Sequence, residues 1–293
     1  MAQIFGSFIS MRFSTLAILL TSMALVQPTV AAQKTWDKIT VATEGAYAPW
    51  NFIGPDGKLG GYEIDLTHEL CNRMKVQCDI VAQDWDGIIP GLNAGKYDAI
   101  VASMGVTPAR EKVVLFSVPY TQAPNGFMAL KSSPLAAMPD LNKVFNLSQD
   151  EATARKEVEK LRPLLSGKIL GVQSASTASN FVDKYLKGIV EVREYKTLEQ
   201  HNLDLEAGRV DLVMANVTVL NKAVSQPDMK DAMLVGPRFI GGVLGGGTTN
   251  VAFRKDDVQL KEMFDKAIKS VNDDGTNRKL MQKWFGLDLS PPN

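Results

Sequence analysis

Apolar and polar positions alternate along Lys38-Ile-Thr-Val-Ala-Thr43, and the β-branched content of this segment predicts a short strand. The period then lengthens. From Gly61 to Met74 the apolar residues Ile64, Leu66, Leu70 and Met74 recur at helical spacing, which predicts an amphipathic helix. A second strand is predicted at Cys78–Ala82, and a helix at Trp85–Asn93 with Ile88, Ile89 and Leu92 on one face. Tyr97–Ala102 is apolar almost throughout, as expected of a strand covered on both faces. Strands alternating with helices predict βαβ units and an α/β fold with mainly parallel sheets.

After Tyr120 the pattern restarts. Strands are predicted at Asn125–Leu130, Lys168–Val172, Val190–Tyr195 and Val210–Ala215, with helices at Ser176–Lys187 and Leu198–Ala207. Residues 132–143 read as a loop, and Asp150–Leu165 as a charged amphipathic helix added at the periphery. Gly241–Gly247 is dense in glycine but leads into a strand at Asn250–Arg254. A phosphate cradle needs its glycines to open a helix, so this run reads as a turn or hinge. Helices at Leu260–Lys269 and Thr276–Trp284 close the chain. Two successive α/β units predict two lobes: residues 33–121 begin the first, 122–243 form the second, and 244–293 return to the first. The cleft between them is the expected small-molecule site.

Composition changes this picture mainly at the start. Arg12, the apolar run Leu16–Val26 and the small residues up to Ala31-Ala32 read as a secretory signal peptide over residues 1–32, with Met11 an alternative start. The run is shorter than the roughly 20 apolar residues that span a bilayer. Export to the periplasm follows. The 32 basic and 32 acidic residues balance, which argues against nucleic acid or an anionic membrane as partner. Cys71 and Cys78 are most simply a disulfide in an exported chain; a metal site is the weaker alternative, since no His lies near Cys78. The two histidines, His68 and His201, are far apart in sequence, which disfavours His-based acid–base catalysis. No metal or cofactor is expected.

Several motifs occur in order: Glu44-Gly-Ala-Tyr-Ala-Pro49, Gly61-Tyr-Glu-Ile-Asp65, Trp85-Asp-Gly-Ile-Ile-Pro-Gly-Leu92, Lys96-Tyr-Asp-Ala-Ile100, Thr107-Pro-Ala-Arg110 and Phe116-Ser-Val-Pro-Tyr120. Leu205-Glu-Ala-Gly-Arg-Val-Asp211, Asp274-Gly-Thr276 and Lys283-Trp-Phe-Gly286 follow. Together they resemble the polar amino-acid-binding proteins of ABC importers, in particular the lysine/arginine/ornithine- and octopine/nopaline-binding group, across nearly the whole exported chain. The resemblance implies a type II periplasmic binding protein with two lobes and two hinge crossings. It also implies a Cys71–Cys78 disulfide, a monomer, and an ABC permease of the inner membrane as partner.

The resemblance assigns site residues as well. Arg110 would fork onto a ligand carboxylate, with Thr107 and the backbone of Ala102, Ser103 and Gly105 completing that cradle. Ser174, Ser176 and Thr177 stand at a helix start, where free amides favour an anion; simple capping of the helix is the plainer alternative. Tyr47 and Trp85 would sandwich the ligand side chain, and Glu44 would pair with its cation. Gln173 and Asn202 are further polar candidates. One position departs from the family: amino-acid binders carry an acid after the strand matching Val210–Ala215, to hold the ligand ammonium, and this chain has Asn216. An opine adds a carboxylate beside a secondary amine, which an acid would repel. The expectation is therefore a receptor for an arginine-derived opine, octopine or nopaline. Free arginine, ornithine or lysine is the alternative, and an enzyme on the same fold a more distant one.

Overall fold

Lys38–Thr43 forms the predicted strand, with Ile39, Val41 and Ala42 fully buried. It runs parallel to Gln77–Ala82 on one side and to Ala99–Ile100 on the other. Ala252–Phe253 and Leu115–Phe116 complete this first sheet through antiparallel pairs. The second sheet follows the order Val144–Asn146, Ala232–Ile240, Asn125–Leu130, Leu212–Asn216, Ile169–Gln173, Glu191–Tyr195. Asn125–Leu130 runs antiparallel to both of its neighbours, while the pairs at either end of the sheet are parallel. Each sheet is therefore mixed, because the strands next to the crossings enter without a helical crossover. This computed structural model describes residues 1–3, 6 and 35–291. The predicted signal peptide lies outside the described residues apart from those first four, and the residues from Trp36 onward form a unit of their own.

Helices cover both sheets. Tyr62–Met74 packs Leu66 and Leu70 against Phe264 and Ile268 of Val258–Asp273 in one apolar cluster. Its C-terminal turn, with Lys75 left-handed, leads back to the sheet, and the Cys71–Cys78 disulfide ties the helix to the neighbouring strand. In the second lobe Phe127 and Phe181 meet Phe239 edge-on and tilted, in one apolar cluster with residues of Glu151–Leu165, the helix read as a peripheral addition. Its inner face, Ala154, Val158, Leu161 and Leu165, is buried, so it contributes to that lobe's core.

The chain crosses between the sheets twice. Thr121–Gln122 leads out to Asn125, Thr248–Thr249 leads back to Ala252, and the two crossings pair antiparallel, with the hydroxyls of Thr121 and Thr249 in contact. The predicted glycine hinge abuts the return crossing. Gly245, at φ 71°, passes so close to Val106 that a Cβ there would lie 2.3 Å from its carbonyl oxygen, so only glycine fits.

Candidate functional site

Strand ends converge on the cleft. Glu44 follows Lys38–Thr43, Ser103 follows Ala99–Ile100, Ser174 follows Ile169–Gln173, and Asn216 ends Leu212–Asn216. Carboxyl ends of parallel strands are where open α/β sheets place ligand-binding groups.

At one end of the cleft, Thr107 caps the short helix Pro108–Glu111 by accepting from the Arg110 amide. The Arg110 guanidinium donates to the Gly105 carbonyl at 2.8 Å and to the Ala175 carbonyl of the second lobe at 2.9 Å. It also lies 5.1 Å from the centre of the Trp85 ring. Burial pushes it down to about 10, so it stays charged at neutral pH. Trp85, Thr107, Arg110 and Ala175 line a cavity of about 360 Å³.

The other end is acidic. Glu44 is 7% exposed, and its carboxylate accepts from Gln173 Nε2 of the second lobe at 2.6 Å. Burial raises its pKa to about 7; the Gln173 bond opposes this, and the charges of Glu63, Asp84 and Asp86 add to it. Glu44, Asp84, Trp85, Asp86 and Lys196 line a second cavity of about 310 Å³. Trp85 belongs to both cavities, so an aromatic face links a cationic end to an acidic one.

Between lobes and crossings lies a small space of about 30 Å³, lined by Tyr47, Ser103, Gly105, Thr177 and Asn216 together with Asn125 and the Thr248–Thr249 crossing. Burial raises the pKa of the Tyr47 hydroxyl, and the nearby charges of Glu44 and Glu63 add to this. Gly105 leaves room for the methyl of Thr177, which a Cβ would approach to 3.3 Å. Ser103 and Ala175, one from each lobe, are both left-handed without being glycine (φ 48° and 52°), a conformation that concentrates at ligand clamps.

The remaining predicted residues divide. Ser174 donates to Asp86 across the cleft at 3.0 Å, and Ser176 caps Thr177–Phe181 by accepting from Ser179. That helix runs five residues and then widens into a π turn at Val182–Leu186, where one continuous helix was predicted. The Ala102 side chain packs into the first lobe's core beside Ile88 and Met104. Asn202 lines a separate groove with Phe52, Ile53 and Lys222. Residues 173–175 thus meet the first lobe at three points.

Sequence reasoning missed the support beneath the site. Glu63, fully buried, accepts from the Ser103 amide, from Asn51 Nδ2 and from the Tyr120 hydroxyl, while Asn51 Oδ1 accepts from Gly45. One carboxylate therefore joins both first-lobe site loops to the residue preceding the outward crossing. The available signal was an acid on the apolar face of the predicted helix, where an unpartnered charge would be costly. Burial raises the pKa of Glu63 to about 6, against the pull of those three donors.

A profile of the bacterial extracellular solute-binding proteins, family 3, matches residues 39–287. The octopine-binding periplasmic protein of Rhizobium meliloti is 47% identical over 293 residues, covering 94% of this chain and 98% of that protein. The lysine/arginine/ornithine-binding periplasmic protein of Escherichia coli is 30% identical over 282 residues, covering 95% and 99%. Among solved structures, an ancestral arginine-binding protein bound to arginine is 30% identical at a TM-score of 0.71, covering 85% of this chain and 99% of that one. A periplasmic His/Glu/Gln/Arg/opine family-binding protein from Silicibacter pomeroyi, in complex with lysine, is also 30% identical, at 0.69, with 87% and 100% covered. This chain belongs to the bacterial extracellular solute-binding proteins, family 3, and has their two-lobed type II fold.

Proposed function

We propose that the protein is an exported, monomeric receptor that closes on an arginine-derived opine and delivers it to an ABC permease of the inner membrane. In this reading residues 33–121 and 244–293 make the first lobe and 122–243 the second. Arg110 takes a carboxylate, Trp85 and Tyr47 flank the ligand side chain, and Glu44 faces its guanidinium. The observation that carries the reading is Asn216: a buried neutral amide lines the cleft where an ammonium would need an acid. The octopine-binding relative supports the same ligand class. Catalysis is not part of the proposal: His201 is sealed in the second lobe, and the reading gives Glu44 to the ligand guanidinium.

The acidic end would hold free arginine equally well, so position 216 decides between the two. Calorimetry with octopine, nopaline, arginine and histidine tests this, with Asn216→Asp as the partner variant. Wild-type protein should favour an opine, and the variant should shift toward arginine. Arginine bound far more tightly than either opine by the wild-type protein would refute the assignment.

A further inference from the structure

Asn216 caps the helix Val217–Val224. Its Oδ1 accepts from the Thr218 amide at 3.0 Å and from the Thr218 hydroxyl at 2.8 Å. The direction of that hydroxyl is fixed. Trp50 Nε1 lies 2.7 Å from Thr218 Oγ1, and an indole nitrogen can only donate. Thr218 therefore accepts from Trp50 and keeps its own hydrogen for Asn216. Two donors converging on one amide atom identify that atom as the carbonyl oxygen, since a turned amide would set NH2 against N–H. Trp50 is 0%, Thr218 4% and Asn216 8% exposed, so bulk water does not compete for these bonds. What remains for the cleft is Nδ2, the donor end of the amide, on the wall shared with Tyr47, Ser103 and Thr177.

We propose that Trp50 and Thr218 are specificity-determining positioning residues: they lock Asn216 so that it offers the ligand only N–H donors. A freely turning amide would serve either an ammonium, through its oxygen, or a carboxylate, through its nitrogen. A locked one recruits an anionic oxygen beside the ligand amine and turns away a free α-ammonium. The proposal rests on the reading of the cleft as an opine site and adds what makes a neutral residue selective there. The lock also spans the cleft. Trp50 stands between the first-lobe strands Ala46–Tyr47 and Asn51–Ile53, while Thr218 belongs to a second-lobe helix, so the relay joins the two lobes in the ligand-free protein.

Thr218→Val keeps the side chain's shape and the capping amide but removes the relay hydroxyl, and Thr218→Ser restores it. In calorimetry, Thr218→Val should weaken octopine about tenfold, the size of one hydrogen bond to a charged group, and weaken arginine much less. Thr218→Ser should recover most of the octopine affinity. Equal losses for the two ligands, or no loss, would overturn the lock. A second measurement needs no ligand: in ¹⁵N-labelled protein, Thr218→Val should shift the Asn216 NH2 signals and speed exchange of the Trp50 indole N–H. If neither signal moves, the lock is wrong whatever the ligand. A wild-type protein that binds arginine and no opine would instead overturn the assigned function.

Discussion

Acidifying the medium around this receptor sets two demands on Glu44 against each other. Its buried carboxyl has a pKa of about 7 in the ligand-free protein, whereas the guanidinium of the proposed ligand would require it ionised. Below that value every ligand has to displace a proton, so affinity should fall about tenfold per pH unit and reach roughly a hundredfold loss near pH 5. At about pH 7, calorimetry in buffers of different ionisation enthalpy should show roughly half a proton released per ligand bound. Glu44→Gln should weaken binding at high pH and flatten the profile. That variant also separates Glu44 from Glu63, whose pKa of about 6 lies in the same range but whose oxygens are taken by Asn51, Ser103 and Tyr120. Stability moves the opposite way. A carboxyl whose folded pKa is above its ordinary 4.5 binds more protons folded than unfolded between 4.5 and about 7, so the fold gains as pH falls through that window. Loss of ligand would then occur in an intact protein, which a thermal melt at the same pH checks. An affinity that stays flat from about pH 8 to pH 5, without buffer-dependent heat, would show that Glu44 does not hold the cation.

Two further perturbations follow from the same structure. His201 is fully buried, and that burial lowers its pKa from 6.5 to about 4. The folded state therefore binds fewer protons than the unfolded chain between those values, and about 3 kcal/mol of stability is lost as pH falls through them. In urea titrations His201→Leu should lose less stability than wild type over that window; equal losses would refute the assignment. Arg110→Lys keeps the charge but loses the fork onto Gly105, Ala175 and a ligand carboxylate, so binding should weaken at least about tenfold at every pH, as read by calorimetry.

The elements with a clean period were legible. Lys38–Thr43, Trp85–Asn93 and Asn125–Leu130 form as predicted, and Tyr62–Met74 begins one residue inside the predicted span. Val217–Val224 was not predicted, and Asn216, read as a ligand contact or as a bond to local backbone, is its cap. Ala232–Ile240 escaped because Gly236 and Pro237 interrupt its pattern, where the register shifts between Val235 and Phe239. Tyr97–Ala102 is buried except at half-buried Asp98, yet only Ala99–Ile100 pairs as a strand. In the site, Arg110, Glu44 and Trp85 were placed by the family motifs, since residue type alone favours a surface ion pair, a solvated acid and a packed aromatic. The pairs that span the cleft were beyond reach. Glu44 with Gln173, Asp86 with Ser174 and Trp50 with Thr218 are separated by 129, 88 and 168 residues, and no local period reports such contacts.

The paired crossings, Thr121–Gln122 against Thr248–Thr249, act on the lobes as two pins act on a door. Two short strands bonded side by side leave one easy rotation and resist twist and slide. If the lobes close as proposed, whatever the cleft holds, they would travel the same arc and end in nearly the same outline. A permease that reads the outside of the closed receptor would see that outline and little of the cargo. On the proposed function, discrimination then falls to groups inside the cleft, such as the Asn216 amide.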